Sequence, residues 1–347
     1  MAAHLVYALL AAISVMAAAS QPAQADPVRI GIANAISDVS IFIADRKGYF
    51  RDEGLSVVIT GFASGANMVA PLGVGDLDAG GGSASAGFYN AVARGIKMRI
   101  VADKASSLPG YAVNRLIVHK SHVDSGRFKT LADLKGMKVA LNAPGVSAQV
   151  TLDVALKKGG LTRADIESTN IPMTDYVIAL QNKAADASFA TEPFATIAVR
   201  NGSSISFIGD DELIPGHQIA NLLYSEKFAT TRADEARRFI KAYLRGIRFY
   251  NGALKDGHLV GPNADEVIAI IAETTPVKDT ALLRLITPNG CDPDGFINVP
   301  SLKLDFDNYK DAGLIIGKVT VEQVIDRSFL EAALREIGPH KPDAPRR

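Results

Sequence analysis

Val28-Arg29-Ile30-Gly31-Ile32 runs into the small, polar stretch Ala33-Asn34-Ala35-Ile36-Ser37-Asp38 and then into residues 39–47, which stop at Gly48. The first five residues are rich in β-branched side chains, the pattern of a buried strand. Val39, Phe42 and Ile43 recur at helical spacing, and Gly48 is placed to end the helix they predict. Strand, small-residue loop and helix together make half of a parallel βαβ unit. The same order returns: a strand over 55–60, the loop Gly61-Phe62-Ala63-Ser64-Gly65-Ala66, and a helix to Gly73. Residues 78–82 then lead through Ser83-Ala84-Ser85 into a helix ending near Gly95, and 98–102 read as a further strand.

The second half follows suit. Residues 137–141 predict a strand, Asn142-Ala143-Pro144-Gly145-Val146-Ser147 a loop, and 148–158 a helix closed by Gly159. Residues 69–80 match 177–188 at four of twelve positions, at an offset of 108. With the shared order of elements, that points to two lobes of similar build. The expected division is a first lobe over 26–115, a second over 116–218, and a return to the first over 219–347. Strand-like residues 116–119 and 219–224 would be the two crossings. Amphipathic helices over 232–254, 264–274 and 321–337 would complete the first lobe.

The chain has 347 residues, 48% hydrophobic and 21% charged, enough length and apolar content for two globular lobes. Lys+Arg and Asp+Glu each number 37, so the formal charge is zero, which argues against nucleic acid as a partner. Cys291 is the single cysteine, which excludes a disulfide framework and any multi-cysteine metal site. His119 and His122 lack a third ligand nearby. Asp292-Pro293-Asp294-Gly295 lacks the remaining carboxylates of a calcium loop and reads as a turn. No metal and no cofactor is expected.

Residues 5–19 are almost wholly apolar, and Ala23-Gln24-Ala25 precedes Asp26 as a small-x-small pattern. This predicts a signal peptide over 1–25, cleaved after Ala25, although its leading segment carries only the amino terminus and His4. The apolar run is short of the roughly 20 residues of a membrane span. The mature chain is expected to be exported, soluble and monomeric, in the periplasm if the cell is Gram-negative.

The run Ile41-Phe42-Ile43-Ala44-Asp45-Arg46-Lys47-Gly48-Tyr49-Phe50-Arg51-Asp52-Glu53-Gly54-Leu55 resembles the opening of the periplasmic nitrate, sulfonate, taurine and thiamine-precursor binding proteins. Phe62-Ala63-Ser64-Gly65-Ala66, Gly75-Asp76-Leu77-Asp78-Ala79 and Leu131-Ala132-Asp133-Leu134-Lys135-Gly136-Met137-Lys138-Val139 resemble the same family in the same order. The resemblance covers roughly residues 28 to 250. It implies an α/β periplasmic binding protein fold of type II: two lobes, each a mostly parallel sheet flanked by helices, joined by two crossing segments. It also implies a non-enzymatic solute-binding protein that delivers a small molecule to an ABC permease. On the residues themselves, Tyr49 and Phe50 read as core, and Asp78 and Asp186 as organisers of the turns into their strands.

Ligands of open α/β sheets bind beyond the carboxyl ends of strands, where helix N-termini present unpaired N–H groups. In the first lobe that rule selects Asn34, Ser37, Asp38, Ser64, Gly65, Ser83 and Ser85. In the second it selects Asn142, Gly145, Ser147, Thr174 and Asp175. Each serine or asparagine also fits a plain role as a helix cap. The resemblance adds Glu192, near which the family places a ligand-facing residue; Glu192 fits equally well as an acid ahead of the helix that starts beyond Pro193. His217, beside the second crossing, is a further candidate for the cleft.

No catalytic motif of the nucleophile-elbow, phosphate-loop or zinc-protease type occurs. A small organic anion of the sulfonate, nitrate or carboxylate type is the leading solute. The alternatives are an aminopyrimidine thiamine precursor, if Asp38, Asp175 and Glu192 face inward, or a dehydratase-like or pyrimidine-synthesising enzyme on the same fold.

Overall fold

The computed structural model describes residues 26–341. The expected signal peptide and its cleavage point after Ala25 lie outside the described residues.

Two five-stranded sheets are present. The first contains β1 (Val28–Ile32), β2 (Val57–Gly61), β3 (Ala79–Gly82), β4 (Met98–Ser107) and β10 (His217–Ser225), in the order β2-β1-β3-β10-β4. The second contains β5 (Asn114–His119), β6 (Lys138–Leu141), β7 (Glu167–Asn170), β8 (Ala187–Thr191) and β9 (Ser204–Gly209), in the order β7-β6-β8-β5-β9. In the first sheet β1 runs parallel to β2 and β3, and only β10 is antiparallel to its neighbours. In the second, β6 runs parallel to β7 and β8, and only β5 is reversed. The two lobes are thus built to one plan, an α/β fold of two mostly parallel sheets.

The sequence repeat has a structural counterpart. Asp78 stands just ahead of β3 and accepts the backbone N–H of Arg29 at 2.8 Å, while Asp186 stands just ahead of β8 and accepts that of Lys138 at 2.9 Å. Each carboxylate pins the start of the neighbouring strand, β1 or β6.

The crossings differ from expectation. Residues 116–119 and 219–224 are the interiors of β5 and β10, the reversed strands of the two sheets. The chain passes between sheets just before them, over residues 108–113 and 210–216. Both stretches carry the buried apolar pattern of a central strand, which a crossing does not need. The ends of the crossings lie side by side, since Ser107 pairs with His217 in the first sheet and Arg115 with Gly209 in the second.

Helices cover both faces of each sheet. The longest, Ala233–Asn251, buries Ala236, Phe239, Ile240, Tyr243, Leu244, Ile247 and Tyr250 along one face, each large apolar side chain worth about 1.5–3 kcal/mol of transfer free energy. It crosses the helix Val39–Arg46 so closely that a Cβ on Gly246 would fall 2.3 Å from the Ser40 carbonyl oxygen. Phe50 is buried and stacks on Phe239 at 4.7 Å, and Tyr49 lies under the Arg245 guanidinium. The expected helix over 321–337 is broken. A short turn, Glu322–Val324, is followed by Ile325, which bridges to Ile100, and the helix proper is Ser328–Ile337. No helix among the described residues is long and apolar enough to cross a membrane.

Candidate functional site

A cavity of about 60 Å³ lies where the carboxyl ends of β1, β3, β6 and β8 face one another between the lobes. The first lobe supplies Ala35, Ser37, Gly65, Gly82, Ser83 and Lys104; the second supplies Asn114, Asn142, Ser147, Ala148, Met173 and Thr191. Ser147 and Ala148 open the helix Ser147–Lys158, so their N–H groups have no intrahelical acceptor. The Ser83 and Ser147 hydroxyls meet across the cavity at 2.9 Å.

Lys104 is the cation of the site. It projects from the middle of β4, is 1% exposed, and holds its ammonium 2.7 Å from Asp38 Oδ1 while donating to Ser37 Oγ at 2.9 Å. Burying a charge is costly unless it is paired, and Asp38 is the partner of Lys104. Asp38 is itself held by the Ala35 N–H, which donates to its other oxygen at 3.0 Å. Room for the lysine stem comes from Gly81, where a Cβ would fall 2.6 Å from Lys104 Cε. A Cβ on Gly82 would fall 2.6 Å from Gly65 Cα, so that glycine lets two backbones close one wall.

Asn114 and Thr191 form a second polar wall. Thr191 Oγ1 donates to Asn114 Oδ1 at 2.6 Å, and Asn114 Nδ2 donates to Asp210 Oδ2 at 2.9 Å. Further bonds tie the lobes together around the cavity: Ala86 N–H to the Gly145 carbonyl at 2.8 Å, and Ile36 N–H to the Glu192 carbonyl at 3.3 Å.

Among the residues selected from sequence, Ser37, Gly65, Ser83, Asn142 and Ser147 line the cavity. Asp38 stands behind Lys104, and Gly145 makes the inter-lobe contact with Ala86. Others are placed elsewhere. Asn34 is exposed and donates to the Phe62 carbonyl at 3.4 Å. Ser64 bonds Asn67 at 2.7 Å, and Ser85 caps the helix Ala86–Ala93 through Phe88 N–H at 3.2 Å. Thr174 and Asp175 face solvent, because the short turn they occupy buries Met173 and Tyr176 instead.

Glu192 takes the helix-acid role. It accepts Thr196 N–H at 3.1 Å and Thr196 Oγ1 at 2.8 Å at the start of the helix Phe194–Arg200, and lines a separate groove with Arg115 and Thr287. Burial pushes its carboxyl up to about 7, with the Thr196 bonds opposing. His217 is buried away from the cavity, with Nε2 at 2.6 Å from Asp305 Oδ1.

Sequence reasoning missed Lys104, Asn114 and Thr191. The available signal for Lys104 was Asp103-Lys104 in the middle of the run Ile100-Val101-Ala102-Asp103-Lys104-Ala105, since adjacent charges in a buried strand need buried partners.

Among the described residues no group of three His, Cys, Asp or Glu could hold a metal ion. His119 caps Ser121, and His122 pairs with Asp186 at 2.6 Å. Asp292 folds back to accept Asp294 and Phe296 N–H groups, which makes its segment a turn.

Residues 21–270 match the NMT1-like family, well over half of the sequence. The chain belongs to the NMT1-like family. A Brucella abortus protein named only as a binding protein is 31% identical over 163 residues, and this NMT1-like chain spans about half (47%) of that relative's length. Among solved structures, the periplasmic nitrate-binding protein NrtA from Synechocystis PCC 6803 aligns with a TM-score of 0.74 at 12% identity, over 90% of this chain and 89% of that one. The alkanesulfonate-binding protein SsuA from Xanthomonas axonopodis pv. citri, bound to MOPS, aligns with a TM-score of 0.70 at 20% identity, over 88% of this chain and 100% of that one. These structures share the fold of this NMT1-like chain, and they are binding proteins rather than enzymes.

Proposed function

We propose that this chain is the solute-binding protein of an ABC importer, exported to the periplasm after cleavage at Ala25, that closes its two lobes on a small anion and delivers it to a membrane permease. The single observation that carries the anion is Lys104, a buried ammonium in the cavity wall whose carboxylate partner Asp38 stands behind it. The serine hydroxyls and the helix-opening N–H groups of Ser147 and Ala148 add donors that suit a nitrate, sulfonate or carboxylate oxygen. A cavity of about 60 Å³ matches a head group of few heavy atoms. Contacts with both lobes make the closed form the better binder, so the solute shifts the population toward it.

An aminopyrimidine would need inward-facing acceptors. Asp175 is exposed, Glu192 is engaged with Thr196, and Asp38 with Lys104, which favours the anion. The same engagements leave neither Glu192 nor Asp38 free as a cleft base, which supports binding without chemistry.

Isothermal titration of the mature chain against nitrate, methanesulfonate, acetate and an aminopyrimidine tests the reading. Saturable binding of at least one anion, unaltered on recovery, is expected. Binding of the aminopyrimidine alone, or of nothing, overturns it.

A further inference from the structure

The cavity wall is continuous with a buried cluster at the crossings. Asn114 opens β5, Asp210 follows β9, Ser107 ends β4 and His217 opens β10, so one residue stands at each end of each crossing. Asn114 lines the cavity and donates to Asp210 Oδ2 at 2.9 Å. Behind them His217 Nε2 lies 2.6 Å from Asp305 Oδ1 on the helix Val299–Asp311. Asp210, His217 and Asp305 are all buried.

Fully ionised, two carboxylates and one imidazolium leave this cluster with one uncompensated negative charge. Two of its atoms, Asp210 Oδ1 and His217 Nδ1, are buried without a hydrogen-bond partner, and so is Ser107 Oγ. The other charged groups close to Asp210 are engaged elsewhere. Asp211 accepts the Gly110 N–H and Glu212 the Gly209 N–H; Arg115 of β5 donates to Ser206, and Lys158 of the packed helix Ser147–Lys158 to the Glu212 carbonyl.

Building on the anion reading above, we propose that anion binding in the cavity is coupled to uptake of a proton by the Asp210–His217–Asp305 cluster at the crossings, with Asn114 as the positioning contact between them. An anion held against Asn114 and Thr191 sits one side chain from Asp210, and like charges disfavour each other's ionised forms. Burial already pushes Asp210 up to about 6, with the Asn114 hydrogen bond opposing. For His217, burial pulls downward, but Asp305 more than offsets it and holds the imidazole above its usual range. The protonated cluster is therefore the better partner of a bound anion, and affinity rises as pH falls through the range above about 6.

The experiment is titration calorimetry of the mature chain with nitrate, methanesulfonate and acetate in buffers of different ionisation enthalpy, between about pH 5.5 and pH 8. Wild type is expected to take up a measurable fraction of one proton per anion, and to lose up to about tenfold in affinity per pH unit across the window. Asp210→Asn, which keeps an acceptor for Asn114 and cannot ionise, is expected to flatten both. Binding without proton uptake in wild type overturns the coupling, and uptake unchanged in Asp210→Asn overturns the assignment. If none of the three anions binds at any pH, the anion reading itself has failed, a result distinct from either.

Discussion

The Ser83 and Ser147 hydroxyl oxygens lie 2.9 Å apart across the gap between the lobes, and each stands 2.9 Å from the Ile219 carbonyl oxygen. Two hydroxyl protons thus serve three oxygen–oxygen contacts, and one contact always lacks a donor. An incoming anion can take one of those protons without leaving the carbonyl unbonded.

Removing either hydroxyl should therefore cost binding more than folding. A hydrogen bond of this kind contributes about 1 kcal/mol, so Ser83→Ala and Ser147→Ala should each weaken anion affinity by roughly fivefold. Titration with nitrate or methanesulfonate measures the loss, and thermal unfolding should move little.

Gly145 sits at φ +63, and a Cβ there would fall 2.7 Å from Ala86 Cβ on the other lobe. Gly145→Ala should hold the lobes apart at a steric cost of about 1–3 kcal/mol, lowering affinity by about fivefold to 150-fold. Small-angle scattering should show ligand-induced compaction in wild type and little in the variant.

Lys104→Met leaves Asp38 buried and unpaired, which should destabilise the fold by about 3–5 kcal/mol. Pairing it with Asp38→Asn should restore most of that stability without restoring anion binding. Urea unfolding and titration on both proteins separate the two effects.

Glu192 is a carboxyl whose folded value, about 7, lies above its ordinary 4.5. Between those values the folded chain binds the extra proton, so this residue's contribution to stability falls as pH rises from about 4.5 to about 7. At about 1.4 kcal/mol per unit, the difference comes to about 3–4 kcal/mol. Glu192→Gln should gain on wild type by that order between pH 4.5 and pH 8 in urea unfolding, and a constant difference would contradict the account.

Much of the fold was legible locally. The strand Val28–Ile32 and the helix Ala264–Thr274 stand where their periodicity places them, and Asp78 and Asp186 organise their turns as their chemistry suggests. The crossings were misplaced because a run such as Leu222-Leu223-Tyr224 looks the same whether it spans lobes or fills a sheet. At the site, small residues after strand ends were visible because each loop advertises them. Lys104 depends on Gly81 and Asp38, far away in sequence, and Asn114 on Asp210. Carboxylates read as ligand-facing mostly found nearer partners, as Glu192 did in Thr196.

A crystal structure of the mature chain grown with methanesulfonate or nitrate tests the central claim most directly. The account predicts the anion between the lobes, within hydrogen-bond distance of Lys104 Nζ and of the Ser83 or Ser147 hydroxyl. An anion seated elsewhere while this cavity stays empty would contradict it.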